Sequence, residues 1–111
     1  ELDLSDNLLR KFVNTKFLNK SGLEKLILNN NKLCCVEELN FNLKSIRHLE
    51  IDSNDLITFD LNLSKIETLV LSNNQNLMNI SINNSNLFIL KLKNSNSHLL
   101  NSINFSTLTN L

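Results

Sequence analysis

The chain has 111 residues, 41% of them hydrophobic and 20% charged, with a formal net charge of zero, a single glycine and no proline. That length allows one domain, and the balanced charge removes the global attraction that a nucleic-acid or membrane-surface partner would exploit. No apolar run is long enough to span a bilayer.

In chain order, "ELDLSDNLL" from Glu1 opens a first extended segment. The return that follows, "FVNTKFLNKSGL", supplies Phe12, Phe17 and Leu23, with room for a short helical turn over residues 14–19. A second segment, "LEKLILNNNKL" from Leu23 to Leu33, repeats the spacing of the first, and "IRHLEIDSNDL" from Ile46 repeats it again. "FDL" then alternates Phe59 and Leu61 with the period of a strand, before "IETLVLSNNQNL" from Ile66, which carries one extra residue ahead of Leu77. "ISI" (Ile80, Ile82), "LFILKLKNSNS" from Leu87, "INF" (Ile103, Phe105) and a final "LTNL" complete the series. The anchoring leucines, Leu2, Leu26, Leu49, Leu69, Leu90 and Leu111, step by 24, 23, 20, 21 and 21 residues. Such regularity excludes a disordered Asn-rich tract.

The spacing has a physical reading. In L-x-L the two aliphatic side chains point to one side of an extended segment and their neighbours to the other. Burying one Leu contributes about 1.5–3 kcal/mol, while ordering each residue's backbone costs about 1–2 kcal/mol. A lone unit of this length is therefore unstable, and stacked copies bury one another's apolar faces. Where the chain turns inward after each strand, backbone N–H and C=O groups need partners, and an asparagine amide donates and accepts at once. Asn7, Asn31, Asn54 and Asn74 occupy that position, with Ser95 in their place in the fifth copy. Asn29, Asn30 and Asn73 are expected at the surface. Phe12, Val36, Phe59 and Ile80 form a further apolar column in the returns.

Leu23, Leu26, Leu28, Asn31 and Leu33, and likewise Ile46, Leu49, Ile51, Asn54 and Leu56, match L-x-x-L-x-L-x-x-N-x-L at every defined position. The chain resembles the leucine-rich repeat family. The resemblance implies an α/β class, a right-handed β-α superhelix with a parallel sheet on its concave face, and mostly irregular or extended convex returns with little helix. One domain spans residues 1–111, with repeats starting near 1, 23, 46, 66 and 87 and a partial repeat from 108. In the family the asparagine column is called the asparagine ladder. Beginning and ending inside motifs, the chain is expected to be an internal fragment of a longer array.

In that family the concave face commonly holds a protein ligand. Here its variable positions are Asp3 and Ser5; Lys25, Ile27 and Asn29; His48, Glu50 and Asp52; Thr68, Val70 and Ser72; and Ile89, Lys91 and Lys93. The face runs from acidic through mixed and apolar to basic, which suits a protein surface better than a small molecule. The expected function is a protein-protein interaction module of a larger receptor or scaffold. A structural spacer and the recognition segment of a multidomain enzyme are the alternatives.

No catalytic apparatus is expected, and no cofactor or metal: His48, Glu50 and Asp52 share one strand side, but adjacent turns offer no converging ligands. His98 stands without an acid near it in sequence. Lys91 and Lys93 are too few for nucleic acid, and no direct membrane contact is expected. Cys34 and Cys35 read as small, semi-buried packing residues. As unpaired thiols they point to a reducing compartment, whereas sequons at Asn19, Asn62, Asn79, Asn83 and Asn104 point outside the cell. Localisation stays open between the two.

Overall fold

The computed structural model describes residues 1–12, 22–37, 39, 43–82 and 86–96, together with 98, 103 and 110. Seven short strands lie in this part of the chain: β1 (Leu2–Asp3), β2 (Lys25–Ile27), β3 (His48–Glu50), β4 (Thr58–Asp60), β5 (Thr68–Val70), β6 (Asn79–Ser81) and β7 (Ile89–Lys91). Five of them form one parallel sheet in the order β1-β2-β3-β5-β7, and β4 and β6 form a second parallel pair. The result is a parallel-strand β-solenoid of about four turns with almost no helix.

The register follows the leucines. Leu2 pairs with Leu26, Leu26 with Leu49, Leu49 with Leu69 and Leu69 with Leu90. Each of Leu26, Leu49 and Leu69 is essentially inaccessible to solvent, while the strand residues on either side are half-buried, as alternation across a strand requires. Pairing continues beyond the strands in the same direction. Leu28 N donates to Glu50 O at 2.8 Å, Ile51 N to Val70 O at 2.8 Å and Leu71 N to Lys91 O at 2.9 Å.

One step further, each turn reverses through a residue of positive φ: Asp6 (58°), Asn30 (56°), Ser53 (54°), Asn73 (57°) and Asn94 (54°). Left-handed backbone is costly for most side chains but tolerable for Asn and Asp, whose short polar groups bond locally. That requirement accounts for asparagines that the repeat pattern left to the surface. Asn29 and Asn73 are half-buried rather than superficial. Asn30 Nδ2 reaches Asp6 Oδ1 at 2.6 Å, Asn73 Nδ2 reaches Asp52 Oδ1 at 2.9 Å, and Asn94 Nδ2 reaches Asn73 Oδ1 at 2.8 Å. Neighbouring turns are thus tied together on the outside as well.

Immediately after each reversal comes the buried amide column. Asn54 Nδ2 donates to Leu28 O of the preceding turn and Asp52 O of its own, both at 3.0 Å, while its Oδ1 accepts Leu33 N at 3.0 Å. Asn31 bridges to Leu4 O and Leu9 N at 3.0 and 3.1 Å, and Asn74 to Ile51 O and Leu56 N at 2.8 and 3.2 Å. Asn7 is exposed and donates only to carbonyls of its own turn, Leu4 and Ser5. The column stops at Ser95, whose hydroxyl is buried with no hydrogen-bond partner. There the extra residue before Leu77 supplies a local substitute, since Leu77 N bonds to Asn74 O at 3.1 Å instead of to a side chain of the next turn.

In the returns, Val36, Phe59 and Ile80 are buried and Phe12 is half-buried. Phe59 pairs in register with Ile80 between β4 and β6, and Leu61, Ile82 and Ile103 complete the same core. The extended returns expected at "FDL" and "ISI" are therefore present. The α elements of a β-α superhelix are not seen among the described residues, where the returns at β4 and β6 are extended and Leu39 N donates to Val36 O at 3.0 Å and Leu43 N to Leu39 O at 3.2 Å. Distance is the physical reason: an extended residue advances about 3.3 Å against about 1.5 Å in a helix, so a short return spans the back of a turn only when extended. The helical turn at 14–19, Phe17, Phe105, Leu111 and the partial repeat from 108 lie outside the described residues.

Replacing Asn54 by Ala leaves Leu33 N buried without a side-chain partner, while Leu28 O keeps its bond from Asn31 Nδ2 at 3.1 Å, and is expected to cost about 1–3 kcal/mol. Asn7→Ala, at an exposed position, is expected to stay within about 1 kcal/mol of wild type. Urea unfolding of the two variants side by side measures the difference.

Candidate functional site

The outward side chains of the five-stranded sheet form rows because the strands are in register. Lys25, His48, Thr68 and Ile89 make one row, and Asp3, Ile27, Glu50, Val70 and Lys91 the next. Asn29, Asp52, Ser72 and Lys93 follow where the chain leaves the sheet. The described structure therefore brings the expected surface residues onto one continuous face, with Asp3 and Asp6 at one end and Lys91 and Lys93 exposed at the other.

The middle of that face is a bonded network. His48 Nε2 lies 2.6 Å from Glu50 Oε1, and Asn29 Nδ2 donates to Glu50 Oε2 at 2.8 Å. The Asn29 amide is used at both ends, since its Oδ1 accepts Asp52 N at 2.7 Å. Partial burial is the largest influence on the Glu50 carboxyl and pushes its pKa up. The hydrogen bonds from His48 and Asn29, with the charges of His48 and Lys25, together outweigh it and hold the group below its ordinary value. At the acidic end, the side-chain and backbone hydrogen bonds of Ser5 hold the Asp3 carboxyl low, against a smaller upward push from desolvation. Lys25 Nζ stands 3.9 Å from Glu1 Oε2, a long contact open to solvent, so that pair contributes little.

Not every expected position is presented to a partner. Ser72 is buried, and its hydroxyl accepts Lys93 N at 3.1 Å, so it works as a link between turns. The reason is its place beside the inward bend after Leu71. Conversely, Phe88 is exposed by 58% beside Ile89 at 46%, an apolar pair next to the two exposed lysines. Phe88 stands just outside the L-x-L window, where the repeat pattern assigns no role.

A second feature lies on the returning side of the turns. Cys34, Ile57 and Met78 each follow the leucine that closes the repeat motif of a copy (Leu33, Leu56 and Leu77), and with Asp55, Gln75, Asn76 and Asn96 they line an open groove of about 470 Å³. Both cysteines are exposed, which corrects the packing role expected for them. Apolar residues at one position in three copies were the available signal.

Among the described residues, no group of three or more His, Cys, Asp and Glu side chains is disposed to hold a metal ion, and no helix is long and apolar enough to cross a membrane. His98 is exposed, and its backbone N donates to Asn96 Oδ1 at 3.0 Å. Of the sequons, Asn62 and Asn79 are exposed, and Asn19, Asn83 and Asn104 fall outside the described residues. Comparison of the chain with family models, curated proteins and solved structures yields no match.

A carboxyl whose pKa is lower folded than unfolded stabilises the fold above its unfolded value, and that contribution fades as pH falls through the folded value. For Glu50 the loss begins near the ordinary value of 4.5 and continues below it. Glu50→Gln is expected to flatten the decline of stability in that acid window. Urea midpoints recorded from pH 3 to pH 7 test this.

Proposed function

We propose that the chain is a leucine-rich-repeat-type solenoid module that binds a protein partner through its five-stranded face, as part of a larger receptor or scaffold. The observation that carries this reading is the face itself: rows of differing side chains held in fixed register on a rigid sheet, acidic at one end and basic at the other. Half-buried Ile27 and Val70 and exposed Phe88 and Ile89 add apolar contact area between and beside the charges. Such a mixture of apolar and charged side chains is common at protein interfaces, and a preformed surface avoids part of the ordering cost of association. In this reading the curvature is that of a leucine-rich repeat, with the face concave, and the module has no catalytic role of its own.

A spacer role has one specific observation in its favour. Glu50 and Asp52 are already engaged by His48, Asn29 and Asn73, so a partner competes for groups that have bonds.

The discriminating experiment compares partners captured by wild type and by the triple variant Lys25→Glu, Glu50→Lys, Lys91→Glu, once both give the same circular dichroism and melting curve. Loss of captured partners, with affinity for any one of them lower by about 30-fold or about 2 kcal/mol, is expected if the face is the recognition surface. Unchanged capture assigns these turns a scaffolding role.

A further inference from the structure

Cys34 and Cys35 have side chains on the surface, yet their backbone is fixed. They sit between fully buried Leu33 and nearly buried Val36, and Cys34 O accepts Ile57 N at 3.3 Å. The two sulfurs lie 3.7 Å apart, with the Cys34 thiol directed at the Cys35 sulfur. A direct bond would need about 2.05 Å and a strained ring between adjacent residues. A single atom bonded to both sulfurs fits the observed gap better: two bonds of about 2.3 Å at a tetrahedral angle, the length of a zinc–thiolate bond, span a separation of this order. Two thiols at this separation suit a soft centre that makes two strong bonds.

We propose that Cys34 and Cys35 together form a binding site for a thiophilic, two-bond centre of the monosubstituted trivalent arsenical class, whose organic substituent lies in the groove against Ile57 and Met78. Cys34 lines that groove, and Ile57 and Met78 are exposed by 51% and 67% without a covering segment among the described residues. In the reaction with phenylarsine oxide each thiol gives up its proton and each sulfur forms one arsenic–sulfur bond. The arsenic–oxygen bond breaks and the oxygen leaves with both protons as water. Arsenic stays trivalent, so no oxidant or reductant is consumed. The site is on the returning side of the solenoid and does not depend on the binding role of the five-stranded face.

The test uses the whole chain in a thiol-free reductant, treated with phenylarsine oxide and followed by intact mass and by titration of remaining thiols. The expected result is one arsenical per chain with both thiols consumed, retained against excess monothiol and removed by a dithiol. Cys34→Ser and Cys35→Ser, both at exposed positions, are expected to release the arsenical at least about tenfold faster, because the second bond is then intermolecular. Ile57→Asp is expected to speed release of phenylarsine oxide and not of inorganic arsenite. Equal retention by the single-cysteine variants, or by urea-unfolded and native wild type, overturns the site. Equal loss of both arsenicals in Ile57→Asp overturns the role of the groove.

Discussion

Every other feature depends on the buried asparagine amide that bridges two turns. At Asn31, Asn54 and Asn74 the chain bends toward the core, where backbone groups are beyond the reach of water, and one side chain satisfies a carbonyl and an N–H of the turn before it. A leucine in that position would add apolar area but strand the N–H that the amide oxygen accepts, at Asn54 the buried Leu33 N. The bond also crosses between turns. A turn therefore gains its partners only when its neighbour is in place, which makes the solenoid cooperative along its axis.

The same inter-turn logic shapes the outer face. Left-handed residues from Asp6 to Asn94 put short polar side chains at the rim, and several of these bond across the stack. The surface that results is stiff and chemically varied, but its polar centre is partly self-satisfied. Exposed chemistry gathers around Phe88, Ile89, Lys91 and Lys93, all four of which are exposed.

Much of this was legible in the residues. L-x-L predicted which leucine of each copy is buried and the register between copies, because alternation and stacking leave a single consistent solution. The Phe59 and Ile80 alternation predicted the second strand pair for the same reason. What the pattern did not reveal depends on backbone conformation or on space between copies. Asn30 is at the surface as expected and Asn73 is half-buried, but the turn-forming role of both was hidden because a positive φ leaves no mark on periodicity. Ser72 looked like a surface position because the bend that buries it begins one residue earlier than alternation implies. Cys34 and Cys35 looked like packing residues because a small, apolar side chain has no signature that separates a core site from a groove wall. The little helix and extended returns that the resemblance implied agree with β4 and β6, where return length, rather than residue type, decides.

The strand half of each turn keeps constant register while the distance between successive paired leucines falls from 24 to 20 and rises to 21 residues. All of that variation is taken up in the return, as where the added residue before Leu77 is closed off by a local turn on Asn74. The molecule thus has a metronome on one side and slack on the other. Insertions and deletions during divergence can accumulate in the returns without shifting a single side chain on the sheet. New chemistry such as a thiol pair can arise there at little risk to the five-stranded face.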